Sequence, residues 1–196
     1  MAIDSLPSFI KENYQHLEVN HATAILKNDF PSEWADMVDM LTNFRLRRSE
    51  VLAPGGRKTT IASQLDERLY ALGWEEKQFR TSIIIDGHER HTPTHKIDCY
   101  KNRVAIEIEW NNKDPFFDRD LNNFRLLFER DAISVGVIIT RSTELQDIFN
   151  SLGKGASYGS STTHWQKLIP RIHGGGAGGC PVLALGITKS LYDETC

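Results

Sequence analysis

Long apolar runs are missing from this chain. The longest candidate, VGVIIT with its neighbours, has the length of a buried strand and falls well short of a membrane span. Cysteine is scarce as well. Cys99, Cys180 and Cys196 are odd in number and widely spaced, and no pair has zinc-finger spacing. Cys99 reads as a small core residue inside an apolar strand pattern. There is no excess of basic residues: the net charge of -3 argues mildly against a nucleic-acid partner. Acids that hold metal ions count in that tally, however, and a ligand meets the local field rather than the sum. The start, MAIDSLPSFIKENYQ, lacks the basic and apolar regions of a signal peptide. A reduced, cytoplasmic protein with no membrane association is therefore expected. No internal repeat occurs, and the low-complexity tract is confined to HGGGAGG, residues 173–179.

What is present suits one globular domain over residues 1–196, since 40% of the chain is apolar and the length allows a real core. The N-terminal third reads as helical. Pro31, Ser32 and Glu33 open a segment in which Trp34, Met37, Val38, Leu41, Phe44 and Leu46 recur at helical spacing. A break at Ala53-Pro54-Gly55-Gly56 precedes a second stripe, Ile61, Leu65, Leu69 and Leu72, which stops at Gly73. TSIIID predicts a strand and Asp86-Gly87-His88 a polar turn. Asp114-Pro115 starts a helix with Phe117, Leu121, Phe124, Leu127 and Phe128 on its apolar face, and ISVGVIIT after it is a nearly continuous apolar run. Strand, helix, apolar strand is a crossover pattern that buries the second strand on both faces. A helix over roughly 142–152, a Gly/Ser-rich loop, a short helix around 165–169 and a last strand, PVLALGI, complete the chain. The expected architecture is α/β: a central mixed β-sheet flanked by helices. A helical region of about 1–75 packs on a core of about 76–196.

Chemistry concentrates in DCYKNRVAIEIEWN, residues 98–111. Val104, Ile106, Ile108 and Trp110 alternate with Ala105, Glu107, Glu109 and Asn111, so Glu107 and Glu109 share one strand face. Asp98 sits on a second short strand, and Lys101, Asn102 and Arg103 supply a turn that can fold it beside Glu107. Three acids in one place repel one another unless something positive neutralises them, and a hard divalent cation with oxygen ligands does that best. Mg²⁺ on Asp98 and Glu107, with the carbonyl of Ile108, is one reading; Glu109 would orient water or take a second ion. A solvated acidic face on an ordinary amphipathic strand is the other. Basic clusters at Arg45, Arg47 and Arg48, at Arg57 and Lys58, and at Lys101 and Arg103 read either as solvated faces or as support for a polyanion. His88, His91 and His95 fit no zinc site. Lys154 lies between glycines, but no GK[ST] follows a strand with the right spacing, which excludes a P-loop.

The pattern Asp98 … Glu107-Ile108-Glu109 resembles the PD-(D/E)xK nuclease motif. More closely, DCYKNRVAIEIEWNNKDPFFDRDL is similar to the active-site segment of type II restriction endonucleases related to BglII, BstYI and BamHI. The likeness extends to QLDERLYALGWEE before it, to SVGVIIT after it, and more loosely to SYGSST and GGCPVLALGI. It covers roughly the C-terminal two-thirds.

The resemblance implies a restriction-endonuclease-like fold and Mg²⁺-dependent hydrolysis of double-stranded DNA that leaves 5′-phosphate ends. Asp98 and Glu107 would be metal ligands. Glu109 stands at the position of the motif's lysine, as Gln or Glu does in this branch, which puts a lysine base in doubt. Glu67 matches an upstream acid able to complete the site, or is an exposed helical acid. Asn111, Asn112 and Lys113 match a loop that reaches DNA, where Asn pairs with adenine edges, or form a polar turn. Ser157, Ser160 and Ser161 would add phosphate or base contacts, or belong to a surface loop. A homodimer on palindromic DNA and a cognate DNA methyltransferase as functional partner are implied as well. The rivals are a non-catalytic DNA-binding module, a repair or junction nuclease of the same fold, and a carboxylate-pair glycoside hydrolase.

Overall fold

The computed structural model describes residues 2–54, 59–92 and 94–195. The expected break at Gly55-Gly56, the basic pair Arg57 and Lys58, Pro93 and Cys196 lie outside the described residues. The N-terminal part runs α1 (Ser8–Asn13), β1 (Tyr14–Val19), α2 (Ala22–Asp29), α3 (Pro31–Asn43), β2 (Leu46–Arg47), α4 (Arg48–Leu52) and α5 (Thr60–Ala71). The middle follows with β3 (Glu75–Lys77), β4 (Ser82–Ile85), β5 (His88–His91), β6 (Ile97–Lys101) and β7 (Val104–Glu109). Then come α6 (Phe116–Phe128), β8 (Val135–Arg141), α7 (Leu145–Ser151), α8 (Trp165–His173), β9 (Val182–Ile187) and β10 (Tyr192–Asp193).

Six strands form one mixed sheet in the order β1-β9-β8-β7-β6-β3. β7, β8 and β9 are parallel, and the outer strands are antiparallel to their neighbours. The expected α/β sheet flanked by helices is thus what the chain builds. Side-chain parity sorts it into two layers. Val104, Ile106 and Ile108 of β7, Val135, Val137 and Ile139 of β8, and Leu183, Leu185 and Ile187 of β9 face the N-terminal helices. Ala105, Ile138, Val182 and Ala184 face α6 and α8, where Phe117, Leu121, Phe124 and Leu168 meet them. Glu107 and Glu109 have the parity of Ala105, so the strand delivers both acids to the α6 side.

Two differences from the sequence reading have physical causes. β1 is an edge strand inside the supposedly all-helical N-terminal third. Its residues YQHLEV are mostly half-buried, so no clean apolar alternation announces it. TSIIID does form a strand and Asp86-Gly87 its turn, both with positive φ, which suits a tight hairpin. The β4–β5 pair, however, stands apart from the main sheet and leaves Ile84 71% exposed. Among the described residues no helix is long and apolar enough to cross a membrane.

The β6–β7 connection is another two-residue turn. Asn102 and Arg103 both have positive φ (43° and 69°), a geometry that matches strand twist and fixes the register Cys99↔Ile106. On the far side of the sheet from the N-terminal helices, Gly136 admits the Phe124 ring; a Cβ there would overlap it. That contact sets how closely α6 lies against β8. Gly136→Ala is expected to destabilise the protein by about 1–3 kcal/mol through overpacking. Urea unfolding of the two proteins checks this, and an unchanged midpoint would show that α6 is free to shift.

Candidate active site

β6 and β7 place Asp98 and Glu107 against each other's backbones. The Asp98 amide donates to Glu107 Oε2 (3.3 Å), and the Ile108 amide donates to Asp98 Oδ2 (2.9 Å). Each carboxylate is therefore oriented by the neighbouring strand. Glu107 and Glu109 are each only 1% exposed, which eliminates the solvated-face reading of this strand. A cavity of about 320 Å³ wraps the C-terminal end of β7. Asp98, Ile108, Glu109, Trp110, Asn111 and Asn112 line one wall; Asp66, Glu76, His95 and Arg119 contribute the facing charged and polar groups. Thr59 and Asn111 also border a smaller cavity of about 90 Å³ that reaches Lys154 and Ser157.

α6 brings a fourth acid and a cation. Asp120 is completely buried, and Arg119 bonds it through Nε (2.8 Å) and Nη2 (2.7 Å) while Nη2 also reaches Glu109 Oε1 (3.2 Å). Asn112 Nδ2 donates to Glu109 Oε2 at 2.9 Å. These contacts offset part of the mutual repulsion of the acids. Burial, then the charges of Asp120, Asp98 and Glu109, holds Glu107 well above the usual carboxylate range. Burial, then the charge of Asp120 and a hydrogen bond with it, pushes Glu109 up to about 9 against the opposing pull of Asn112 and Arg119. Asp120 rises to about 6 by burial, restrained by its bonds to Glu109 and Arg119.

Among the described residues no three His, Cys, Asp or Glu side chains converge enough to hold a metal ion by themselves. A magnesium ion asks for fewer: one or two carboxylates, with water and phosphate oxygens completing the octahedron. The donors here are all oxygen, and Glu107 Oε1 is buried with no hydrogen-bond partner among the described residues. In donor chemistry the site suits a hard divalent cation.

Two distant segments meet beside this cavity. The Thr163 amide donates to the Asn112 carbonyl (2.8 Å), the Asn112 amide to Thr163 Oγ1 (3.1 Å), and the Asp114 amide to the Ser161 carbonyl (3.0 Å). Lys113 bridges Thr162. Asn111, Asn112 and Lys113 thereby stand beside the loop carrying Ser157, Ser160 and Ser161, and those serines and Lys113 are exposed. Arg141, buried at the end of β8, holds this loop from below through the Tyr158 carbonyl (2.9 Å) and Thr162 Oγ1 (3.1 Å). Asn111 adopts φ 61°, and its Oδ1 is buried with no partner among the described residues.

A family model for restriction endonuclease BglII/BglIII matches residues 14–187. The chain belongs to this BglII/BglIII restriction endonuclease family. It is accordingly a nuclease, a hydrolase with DNA as substrate, and the sugar-hydrolase reading lapses. A search of curated proteins finds no match.

Seen in this BglII-family nuclease, the expected site residues divide. Asp98, Glu107, Ile108 and Glu109 come together, with Asn111 and Asn112 at the rim. Glu67 does not join them: it is exposed on the outer side of α5, and its neighbour Asp66 faces the cavity instead, fully buried and accepting from Cys99 Sγ at 3.6 Å. Helical phase carries that signal, because Asp66 lies four residues after Ala62 and three before Leu69, both buried. Asp120 was detectable in the same way, three residues after Phe117 and four before Phe124 on the apolar face of α6. Of the histidines, His95 lines the cavity, whereas His88 and His91 lie on the exposed β5. Lys101 and Arg103 are engaged with Asp36 (2.8 Å) and with Ser134 (2.9 Å).

The raised acids set a pH dependence. The folded protein keeps the Glu109 proton up to about 9, while the unfolded chain releases it near the ordinary glutamate value of 4.5. Over that window the folded state binds more protons, so this group's contribution to stability falls as pH rises. Thermal unfolding of metal-free protein in EDTA is expected to show a midpoint that declines across the window relative to Glu109→Gln. A difference between the two that stays constant with pH would contradict the assignment.

Proposed function

We propose that this chain is a type II restriction endonuclease that hydrolyses both strands of a specific DNA duplex with Mg²⁺ and leaves 5′-phosphate and 3′-hydroxyl ends. The observation that carries this reading is the mutual lock of Asp98, which lines the cavity, and Glu107 on the adjoining strand, with a buried Glu107 oxygen left over. Asp98, Glu107 and the Ile108 carbonyl would hold the ion. When bound there, it supplies charge neutralisation at the phosphate and makes water a better nucleophile at neutral pH.

The protein's own groups do the rest. Glu109, fixed by Asn112 and Arg119, orients the attacking water from the strand face that Glu107 shares. Asp66 takes the part expected of Glu67, closing the cavity from α5. Water attacks phosphorus in line, the bond to the 3′ oxygen breaks, and that oxygen leaves as the hydroxyl end. Asn111 and Asn112 read base edges in the major groove, and Lys113, Ser157, Ser160 and Ser161 fasten the backbone. One chain holds one such site, so cutting both strands of a palindrome calls for a two-fold homodimer. A methyltransferase of matching specificity protects the host's own sites.

Incubating phage DNA with purified protein and Mg²⁺, then sequencing the ends, tests this directly. Discrete fragments with 5′ phosphates are expected, and none in EDTA. A smear would indicate a repair or junction nuclease, and intact DNA with every divalent metal a binding module. Glu107→Ala is expected to abolish cutting while DNA binding in Ca²⁺ persists. The two α5 acids separate the residue choice. Asp66→Asn is expected to lower the cleavage rate by roughly 10- to 100-fold, the scale of lost support around a metal site, and Glu67→Ala to leave it unchanged. The reverse order would return the role to Glu67.

A further inference from the structure

A polyanion entering this cavity meets mostly acidic side chains among the described residues. Of the described titratable residues that line it, Asp66, Glu76, Asp98 and Glu109 are acids, and Arg119 is the one Lys or Arg among them. The third position of the motif, where a cation would stand, is occupied here by Glu109. A positive charge nonetheless reaches the same place from α6. Arg119 Nη2 lies 3.2 Å from Glu109 Oε1, and the guanidinium sits 4.1 Å over the Phe116 ring. Its Nε–Nη2 edge is taken by the acids, with the completely buried Asp120 as main anchor. Nη1 makes no hydrogen bond to any described residue, and the side chain is 30% exposed where it borders the cavity.

We propose that Arg119 is a catalytic residue: its Nη1 donates to a non-bridging oxygen of the phosphate being cleaved, supplying from α6 the positive charge that the catalytic strand lacks. Asp120 is its positioning residue. The geometry suits the task, because a planar guanidinium held along one edge and stacked on a ring presents its remaining donors in a fixed direction. A donor oriented before the reaction stabilises charge that grows on the phosphate oxygens without reorganising during the reaction. A simpler role is imaginable, in which Arg119 only compensates Glu109 and Asp120. The two roles differ in whether the side chain senses the charge of the scissile phosphate.

The inference rests on the endonuclease reading, and the experiment keeps the two apart. Once the cut site is mapped, single-turnover cleavage with Mg²⁺ and equilibrium binding with Ca²⁺ are measured for wild type, Arg119→Gln, Arg119→Lys and Asp120→Asn. Binding uses two duplexes, one natural and one with a neutral methylphosphonate at the scissile position. Arg119→Gln is expected to slow cleavage by roughly 100- to 1,000-fold, the scale for loss of one preorganised donor. The methylphosphonate should weaken binding by the wild type and have much less effect on Arg119→Gln. Asp120→Asn should slow cleavage less than Arg119→Gln and keep part of the methylphosphonate penalty.

An equal methylphosphonate penalty in wild type and Arg119→Gln would overturn the contact, even with cleavage intact. If Arg119→Gln does not fold, judged by circular dichroism, Arg119→Lys decides. It preserves the charge opposite Glu109 and Asp120, so a compensating role alone predicts wild-type cleavage. The phosphate contact predicts a loss of about tenfold or more, because an ammonium does not reproduce the fork. A wild-type protein that cuts no DNA brings down both readings; one that cuts, with Arg119 indifferent to the phosphate, brings down this one only.

Discussion

Burying carboxylates is costly, and this fold does it four times within a few residues of one strand end. Glu107, Glu109 and Asp120 are almost wholly withdrawn from water, and Asp66 approaches from the opposite wall. Moving an ionised carboxylate into a protein interior carries a penalty of several kcal/mol unless it is paired, hydrogen-bonded or neutralised by a proton. Each remedy is in use. Backbone amides of β6 and β7 hold Asp98 and Glu107, a guanidinium from α6 meets Glu109 and Asp120, and burial raises the proton affinity of Glu107 and Glu109. Everything else in the architecture serves to keep these groups facing one another: the Asn102-Arg103 turn sets the strand register, and Gly136 lets α6 come close enough for its charged residues to reach the strand.

Such a cluster makes sense in a protein whose substrate brings further negative charge. A site that must accept a phosphodiester and a cation together needs acids for the cation and donors for the phosphate. The two demands conflict unless the groups come from different elements. In the proposed arrangement the strand and the helix divide them. β7 contributes oxygen donors at alternate positions, and α6 contributes the basic group at its flank, so each can be positioned by its own secondary structure.

Much of this was legible in the amino-acid order. Alternation in VAIEIEW marked β7 and put Glu107 and Glu109 on one face. The apolar stripe of α6 followed by VGVIIT marked the parallel pair β7–β8, because an apolar strand after an amphipathic helix has few other uses. What escaped notice escaped for physical reasons. Asp66 and Glu67 are adjacent in sequence, and only the helical phase against Ala62 and Leu69 tells which one points inward. Asp120 lies between the apolar positions of α6, where an acid looks like a break in the pattern and is in fact its point. β1 is a half-buried edge strand, with too little apolar contrast to stand out. The pairing of residues 112–114 with residues 161–163 joins segments about fifty positions apart through main-chain bonds, which no side-chain pattern encodes.

That main-chain seam has a consequence for how the molecule could change. A loop that hangs free can lengthen, shorten or wander without disturbing its neighbours. The stretch around Ser157 to Thr163 has no such liberty: it is sewn to the turn after β7 and pinned underneath by the Arg141 guanidinium. Adding or deleting a residue on either side would drag the other out of register and pull at Glu109 through Asn112. New preferences would therefore have to arise by exchanging side chains on a backbone of constant length, with both segments altered together.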